Sequence, residues 1–239
     1  MNTIHLLREL ERYSTFDLDT FTYVAQLDKA YAKVRLFRLK KAGYILELQR
    51  NSYTVHKDPL LIASTIIWPS YISFWYALNY HGLTYQLPTE ISVLTTRKKS
   101  LKKIQFGSMD LVFYSVNPKI FFGFDRIVVR NMEIFMANKE KAIIDSILLN
   151  RISVQEIFEI LQNNLSSLDL QRIKNYILHI GNISLMKRIG YILDLLEYDL
   201  YSDLKEHIYR TMIKLDPTMN KKGIRSAKWG ILDNIMVRE

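Results

Sequence analysis

The chain contains no cysteine in 239 residues, which excludes disulfide staples, thiolate zinc sites and cysteine nucleophiles together. Its eight glycines are dispersed, so no glycine-rich phosphate loop is present, and no low-complexity linker or internal repeat occurs. No stretch approaches the roughly 18 to 20 uninterrupted apolar residues of a membrane-spanning helix. The first apolar segment, in MNTIHLLRELERYSTF, is broken by charges, unlike a secretory signal. The expectation is a cytoplasmic protein with no membrane partner.

Apolar residues make up 49% of the chain, enough to bury a real core in one large domain or in two to three small ones. The net charge is +9, and it is unevenly placed. Residues 29 to 57 hold Lys29, Lys33, Arg35, Arg38, Lys40, Lys41, Arg50 and Lys57 against one acid, Glu47, a net of +7. Residues 151 to 215 hold eight basic and eight acidic side chains. A basic block on a neutral body is the electrostatic footprint of nucleic-acid binding.

The same N-terminal block has a readable order of elements. A helix is expected from about Thr3 to Tyr13, with Leu6, Leu7 and Leu10 on its apolar side. A second, short helix follows with Asp19 as N-cap, and Asp28 caps a third, KAYAKVRLFRLKKAG, closed by Gly43. YILEL and SYTV then form a hairpin around Gln49-Arg50-Asn51. Three helices and a hairpin in this order fit a winged helix-turn-helix over residues 1–57.

In the third helix Ala32, Leu36, Leu39 and Gly43 form one inward stripe. Lys29, Lys33 and Lys40 cluster within roughly 40° of the wheel, while Tyr31, Arg35 and Arg38 form a second polar arc. Val34 and Phe37 lie between the stripes and are expected to pack against neighbours. Lysines on such a helix would bind phosphate as point charges, and arginines can read guanine edges in pairs of hydrogen bonds. Arg50 sits at the hairpin tip, where a wing would reach the backbone. The candidate DNA contacts are therefore Lys29, Lys33, Arg35, Arg38, Lys40, Lys41 and Arg50.

A second domain is expected over 58–239, opening at Asp58-Pro59. Within it, 58–150 reads as two helices, PLLIASTII and YISFWYALNYHGL, followed by a small antiparallel sheet of short strands. Residues 151–239 read as mostly helical, including SVQEIFEILQ with a Ser153/Glu156 capping box, DLKEHIYRTMIKL, and a strand-like KWGILDNI near the end. The fold class is α+β.

Catalytic signals are thin. His81 ends an aromatic-rich helix just before Gly82, where a histidine complements the helix dipole and donates to free carbonyls. His5, His56, His179 and His207 are scattered, with no pair at metal-ligand spacing. Gly107-Ser108 with Asp110 resembles half of a nucleotidyltransferase signature, but position 112 is Val, so a hairpin turn is expected instead. No catalytic residue, metal or cofactor is assigned. Arg97, Lys98, Lys99, Lys102 and Lys103 form a second basic patch, either a solvated loop or an extension of a phosphate footprint.

Four stretches, in order, resemble one family: RLFRLKKAGYILELQRNSYTV (35–55), YISFWYALNYHGL with TEISVLTTRKK (71–99), ANKEKAIIDSI (137–147) and LMKRIGYILDLL (185–196). The chain resembles the AbiEi antitoxins of type IV toxin–antitoxin systems, and the matches span almost its whole length. The resemblance implies a winged helix-turn-helix that binds inverted repeats in double-stranded DNA upstream of its own operon, as a homodimer or by cooperative assembly there. It also implies a C-terminal domain that counters a nucleotidyltransferase-like toxin without requiring a stable complex. The turn Gln49-Arg50-Asn51-Ser52 departs from the arginine-rich, glycine-containing turn of that family. From the residues alone, a winged-helix regulator whose C-terminal domain senses a ligand or partner is the second expectation.

Overall fold

A computed structural model describes residues 1–98, 102–209, 211–220 and 222–235. It is mixed α and β, and its contacts group the chain into two units: Met1–Ile72 with Pro88–Met136, and Ser73–Leu87 with Ala137–Glu239. After residue 58 the chain runs through the first unit to Ile72, the second from Ser73 to Leu87, the first again to Met136 and the second again from Ala137.

The first unit begins with α1 (Thr3–Leu10), α2 (Leu18–Ala25) and α3 (Lys29–Lys41), then a hairpin of β1 (Leu46–Gln49) and β2 (Ser52–Thr54). The N-cap of α2 is Asp17 rather than Asp19: Asp17 Oδ1 accepts the Thr20 N–H at 2.8 Å. That shift leaves Asp19 in the first turn, free to pair elsewhere. α2 and α3 are joined by three residues, with Gln26 in the left-handed region at φ 53°. Leu6, Leu10, Phe16, Phe21, Ala25, Ala32, Leu36, Leu39 and Ile45 form one buried cluster, so these helices share a core of their own. Phe16 forms a β-bridge with Tyr53, tying the chain before α2 to the hairpin.

After α4 (Leu60–Ala63) comes β3 (Ser70–Ser73), followed directly by α5 (Phe74–Tyr80). The expected helix from Tyr71 is thus split. Tyr71 and Ile72 are strand formers, and Ile72 lies opposite Met136 in a neighbouring strand. The change of direction falls on Phe74, at φ 57°, a costly backbone for a bulky residue, held by its burial. α4 is shorter than the expected helix. Thr65, Ile66 and Ile67 are β-branched and Pro69 follows, so helix cannot propagate.

The strands β4 (Glu90–Thr95), β5 (Lys103–Phe106), β6 (Met109–Ser115), β7 (Phe124–Val129) and β8 (Met132–Ala137) complete a six-stranded sheet of order β5-β6-β4-β3-β8-β7. The sheet is mixed rather than antiparallel, which corrects the sequence expectation. β4 and β6 run parallel from Glu90–Asp110 to Thr95–Ser115, and β3 and β8 are parallel, whereas β5 and β6 are antiparallel. The reason lies in β4: Ile91 to Thr95 are all buried, a continuous run that belongs to a central strand covered on both faces. Gly107-Ser108 is the two-residue turn between β5 and β6, with Gly107 at φ 61°.

The second unit is built on helices α6 (Lys139–Leu148), α7 (Val154–Asn164), α8 (Leu170–Ile180), α9 (Ile183–Leu195) and the short α10 (Tyr201–Leu204). The Ser153/Glu156 capping box forms as expected. The expected helix DLKEHIYRTMIKL is not formed beyond Leu204. The chain passes instead into β9 (Ile213–Lys214), β10 (Ile224–Ser226) and β11 (Ile231–Asp233), a three-stranded sheet. Trp229, buried before β11, explains a glycine in mid-helix: a Cβ on Gly190 would lie 2.2 Å from its ring. Among the described residues no helix is long and apolar enough to cross a membrane.

Candidate nucleic-acid interface

α3 is fixed at both ends. Asp28 Oδ1 accepts the N–H groups of Ala30 and Tyr31, each at 3.0 Å. At the other end Gly43 takes φ 77°, and the Tyr44 N–H reaches the Leu39 carbonyl at 3.0 Å. Between these caps Ala32, Leu36 and Leu39 are buried, while Gly43 is exposed just beyond the helix. With three residues holding the inner side, the opposite side of a six-cation helix must face water.

The seven candidate contacts then separate into two groups. Lys29 Nζ lies 2.7 Å from Asp19 Oδ1, Lys40 pairs with Glu47, and Arg35 donates to the Met1 carbonyl at 2.8 Å. The hydrogen bond to each carboxylate holds Lys29 and Lys40 above the ordinary lysine range. Among the described residues, the side chains of Lys33, Arg38, Lys41 and Arg50 are exposed and have no intramolecular partner. Arg50 sits at the hairpin turn beside Asn51, whose Oδ1 accepts the Leu18 N–H at 3.1 Å and pins the turn to the start of α2.

Val34 and Phe37 were expected to be packing contacts, and this is overturned: Val34 is 45% exposed and Phe37 61%. The signal was present in the sequence. At about 100° per residue Val34 lies about 165° and Phe37 about 135° from the mean direction of Ala32, Leu36 and Leu39.

The second basic patch is less open. Arg97 Nε donates to the Trp68 carbonyl at 3.2 Å, and Lys103 Nζ lies 2.7 Å from Asp110 Oδ2. Lys98 and Lys102 are exposed, and Lys99 lies outside the described residues. The pairing with Lys103 occupies Asp110 on hairpin β5/β6. Neither a family model nor a curated protein matches the chain.

His81 occupies the C-cap of α5, but its ring bonds outside its own helix: Nε2 donates to the Ala137 carbonyl at 2.7 Å. Among the described residues there is no group of three or more histidine, aspartate or glutamate side chains placed to hold a metal ion. A buried polar cluster lies on α6. Lys141 and Asp145, neither exposed at all, form an ion pair one turn apart, and Ser73 Oγ donates to Asp145 Oδ2 at 2.9 Å. Burial pushes the Lys141 amine below its ordinary range, against the pull of the Asp145 charge.

Proposed function

We propose that the chain binds double-stranded DNA through α3 as a winged helix-turn-helix, with α2 as the supporting helix and the β1/β2 hairpin as the wing. In this reading it is an autorepressor and antitoxin of the AbiEi type. The observation that carries the DNA-binding half is the outward side of α3, where Lys33, Arg38 and Lys41 stand exposed and unpaired. The three-residue connection to α2 and the Phe16–Tyr53 bridge fit the motif. Arg50 at the hairpin tip would reach the adjacent backbone.

The antitoxin half rests on the resemblance of residues 35–55, 71–99, 137–147 and 185–196. In it the remaining chain, 58–239, counters a nucleotidyltransferase-like toxin encoded beside it, with no catalytic step of its own. The deciding experiment is a mobility-shift titration, across a salt series, on duplexes from upstream of the coding sequence and on scrambled ones. Preference for the upstream duplex, lost in Lys33→Ala/Arg38→Ala/Lys41→Ala, is the expected result. Equal, steeply salt-dependent binding to both duplexes would reduce the basic block to plain electrostatics. Co-expression with a neighbouring nucleotidyltransferase gene then tests the antitoxin half by rescue of growth.

A second reading, a regulator that senses a small ligand, draws on a cleft of about 450 Å³ in the second unit, lined by Trp75, Tyr85, Glu156, Glu159 and Asn163. Under that reading growth is not rescued, and a ligand shifts the DNA-binding curve.

A further inference from the structure

The outward side of α3 holds more than charge. Ala30, Val34 and Phe37, spaced four and three residues apart, fall within about 60° of arc on a 100° wheel, and all three are exposed. Lys33 and Arg38 stand on either side of this strip, and Lys41 follows one turn beyond Phe37. Single exposed apolar residues call for no explanation. A contiguous apolar strip centred between unpaired cations is different, because phosphates satisfy the cations and leave the strip with nothing to cover it.

The charges identify the occupant. α3 carries no acidic residue; Asp28 is engaged as its N-cap, and Asp19 and Glu47 are taken by Lys29 and Lys40. A second copy presenting the same face would set like charges together, so the partner is a polyanion that also offers apolar groups. Duplex DNA does so in its major groove, where each thymine displays a C5-methyl and each guanine a pair of acceptors. Double-stranded RNA does not: its major groove is too narrow for a helix and its uracils lack the methyl.

We infer that Val34 and Phe37 are specificity-determining residues that read thymine methyl groups in the major groove, with Arg38 directed at a neighbouring guanine and Lys33 and Lys41 on the flanking phosphates. This rests on the reading of α3 as a DNA-recognition helix. It adds that the preferred sites contain thymines whose methyls contribute to affinity, and that this contribution passes through Phe37.

The test uses the full chain and the tightest-binding duplex from upstream of its coding sequence. Its thymines are replaced one at a time by deoxyuridine, which deletes only the methyl. For the wild-type protein, burial of one methyl predicts a loss of about fourfold in affinity at one or two positions per half-site. Phe37→Ala should bind the thymine duplex more weakly and lose that sensitivity to deoxyuridine. Phe37→Leu should keep part of it, and the melting temperature of both variants should match wild type, since the side chain is 61% exposed.

Wild-type binding that is indifferent to every deoxyuridine, while Lys33→Ala/Arg38→Ala/Lys41→Ala still loses affinity, would overturn this inference and leave the DNA-binding reading standing. A triple variant that binds like wild type would remove both. Phe37→Ala that changes the sedimentation of the protein without altering thymine sensitivity would assign the strip to contact between copies instead.

Discussion

Two lysine-bearing helices show opposite uses of charge. α3 has six cations in thirteen residues and buries only Ala32, Leu36 and Leu39. α6 has ten residues and buries eight of them, including Glu140, Lys141 and Asp145. On α3 the cations that are paired reach the carboxylates of Asp19 and Glu47 or the Met1 carbonyl, and Lys33, Arg38 and Lys41 have no intramolecular partner among the described residues. On α6 the charges are consumed by the fold. Lys141 meets Asp145, Asp145 accepts from Ser73, and Glu140 accepts the Asp169 N–H at 2.9 Å and an Arg172 Nη1 hydrogen at 3.3 Å. A charged residue in sequence is therefore a statement about interaction only after its exposure and partners are known.

The comparison can be broken most forcefully on α6. Removing one partner of a desolvated pair strands the other, so Asp145→Ala should cost ~3–5 kcal/mol of stability in chemical denaturation. Replacing both groups by apolar residues, Lys141→Met with Asp145→Leu, should recover most of that loss. A single variant as stable as wild type would mean that the pair is not desolvated in solution.

The matching change on α3 should leave stability within ~0.5 kcal/mol and act on binding instead. Under the proposed DNA reading, Lys33→Ala/Arg38→Ala/Lys41→Ala loses two phosphate-neutralising charges and should lower the salt slope by about 1.8, roughly twentyfold in affinity near ~0.2 M salt, with the loss of the Arg38 base contact added to it. If the melting temperature falls with no change of slope, the outward charges are structural and the contrast with α6 disappears.

Smaller effects test the scaffold that presents α3. Asp17→Ala should cost ~1 kcal/mol through loss of the α2 cap. The Thr20 backbone N–H, first among its hydrogen bonds, holds the Asp17 carboxyl below the ordinary value of 3.8. Its contribution is therefore complete above that value and is lost as pH falls through the lowered one, so Asp17→Asn should flatten the acid limb of the stability curve. Smallest of all is Lys40→Ala, which opens an exposed pair with Glu47 and should leave the melting temperature close to that of wild type. Under the proposed DNA reading it should also shift affinity less than Lys41→Ala, the neighbour with no intramolecular partner among the described residues.

Much of the N-terminal block was legible because its determinants are local. Asp28 as a cap, Gly43 as a stop, the stripe of Ala32, Leu36 and Leu39, and the hairpin each depend on residues a few positions apart. The errors fell where a distant element decides. Tyr71 and Ile72 look helical beside Trp75 and Tyr76 until Ile72 finds Met136 across the sheet. β4, β5 and β6 read as consecutive antiparallel strands until β5 lies outside β6 and leaves β4 and β6 side by side and parallel.

The sequence by itself determined the uneven charge, the caps and the inward stripe of α3, since these follow from composition and a fixed turn per residue. Only the tertiary structure decided which charges are free. Lys29, Arg35 and Lys40 differ from Lys33, Arg38 and Lys41 in nothing but what the fold brings within reach: Asp19, the Met1 carbonyl and Glu47. Ion pairing depends on distance in space, and sequence specifies that distance only through the fold.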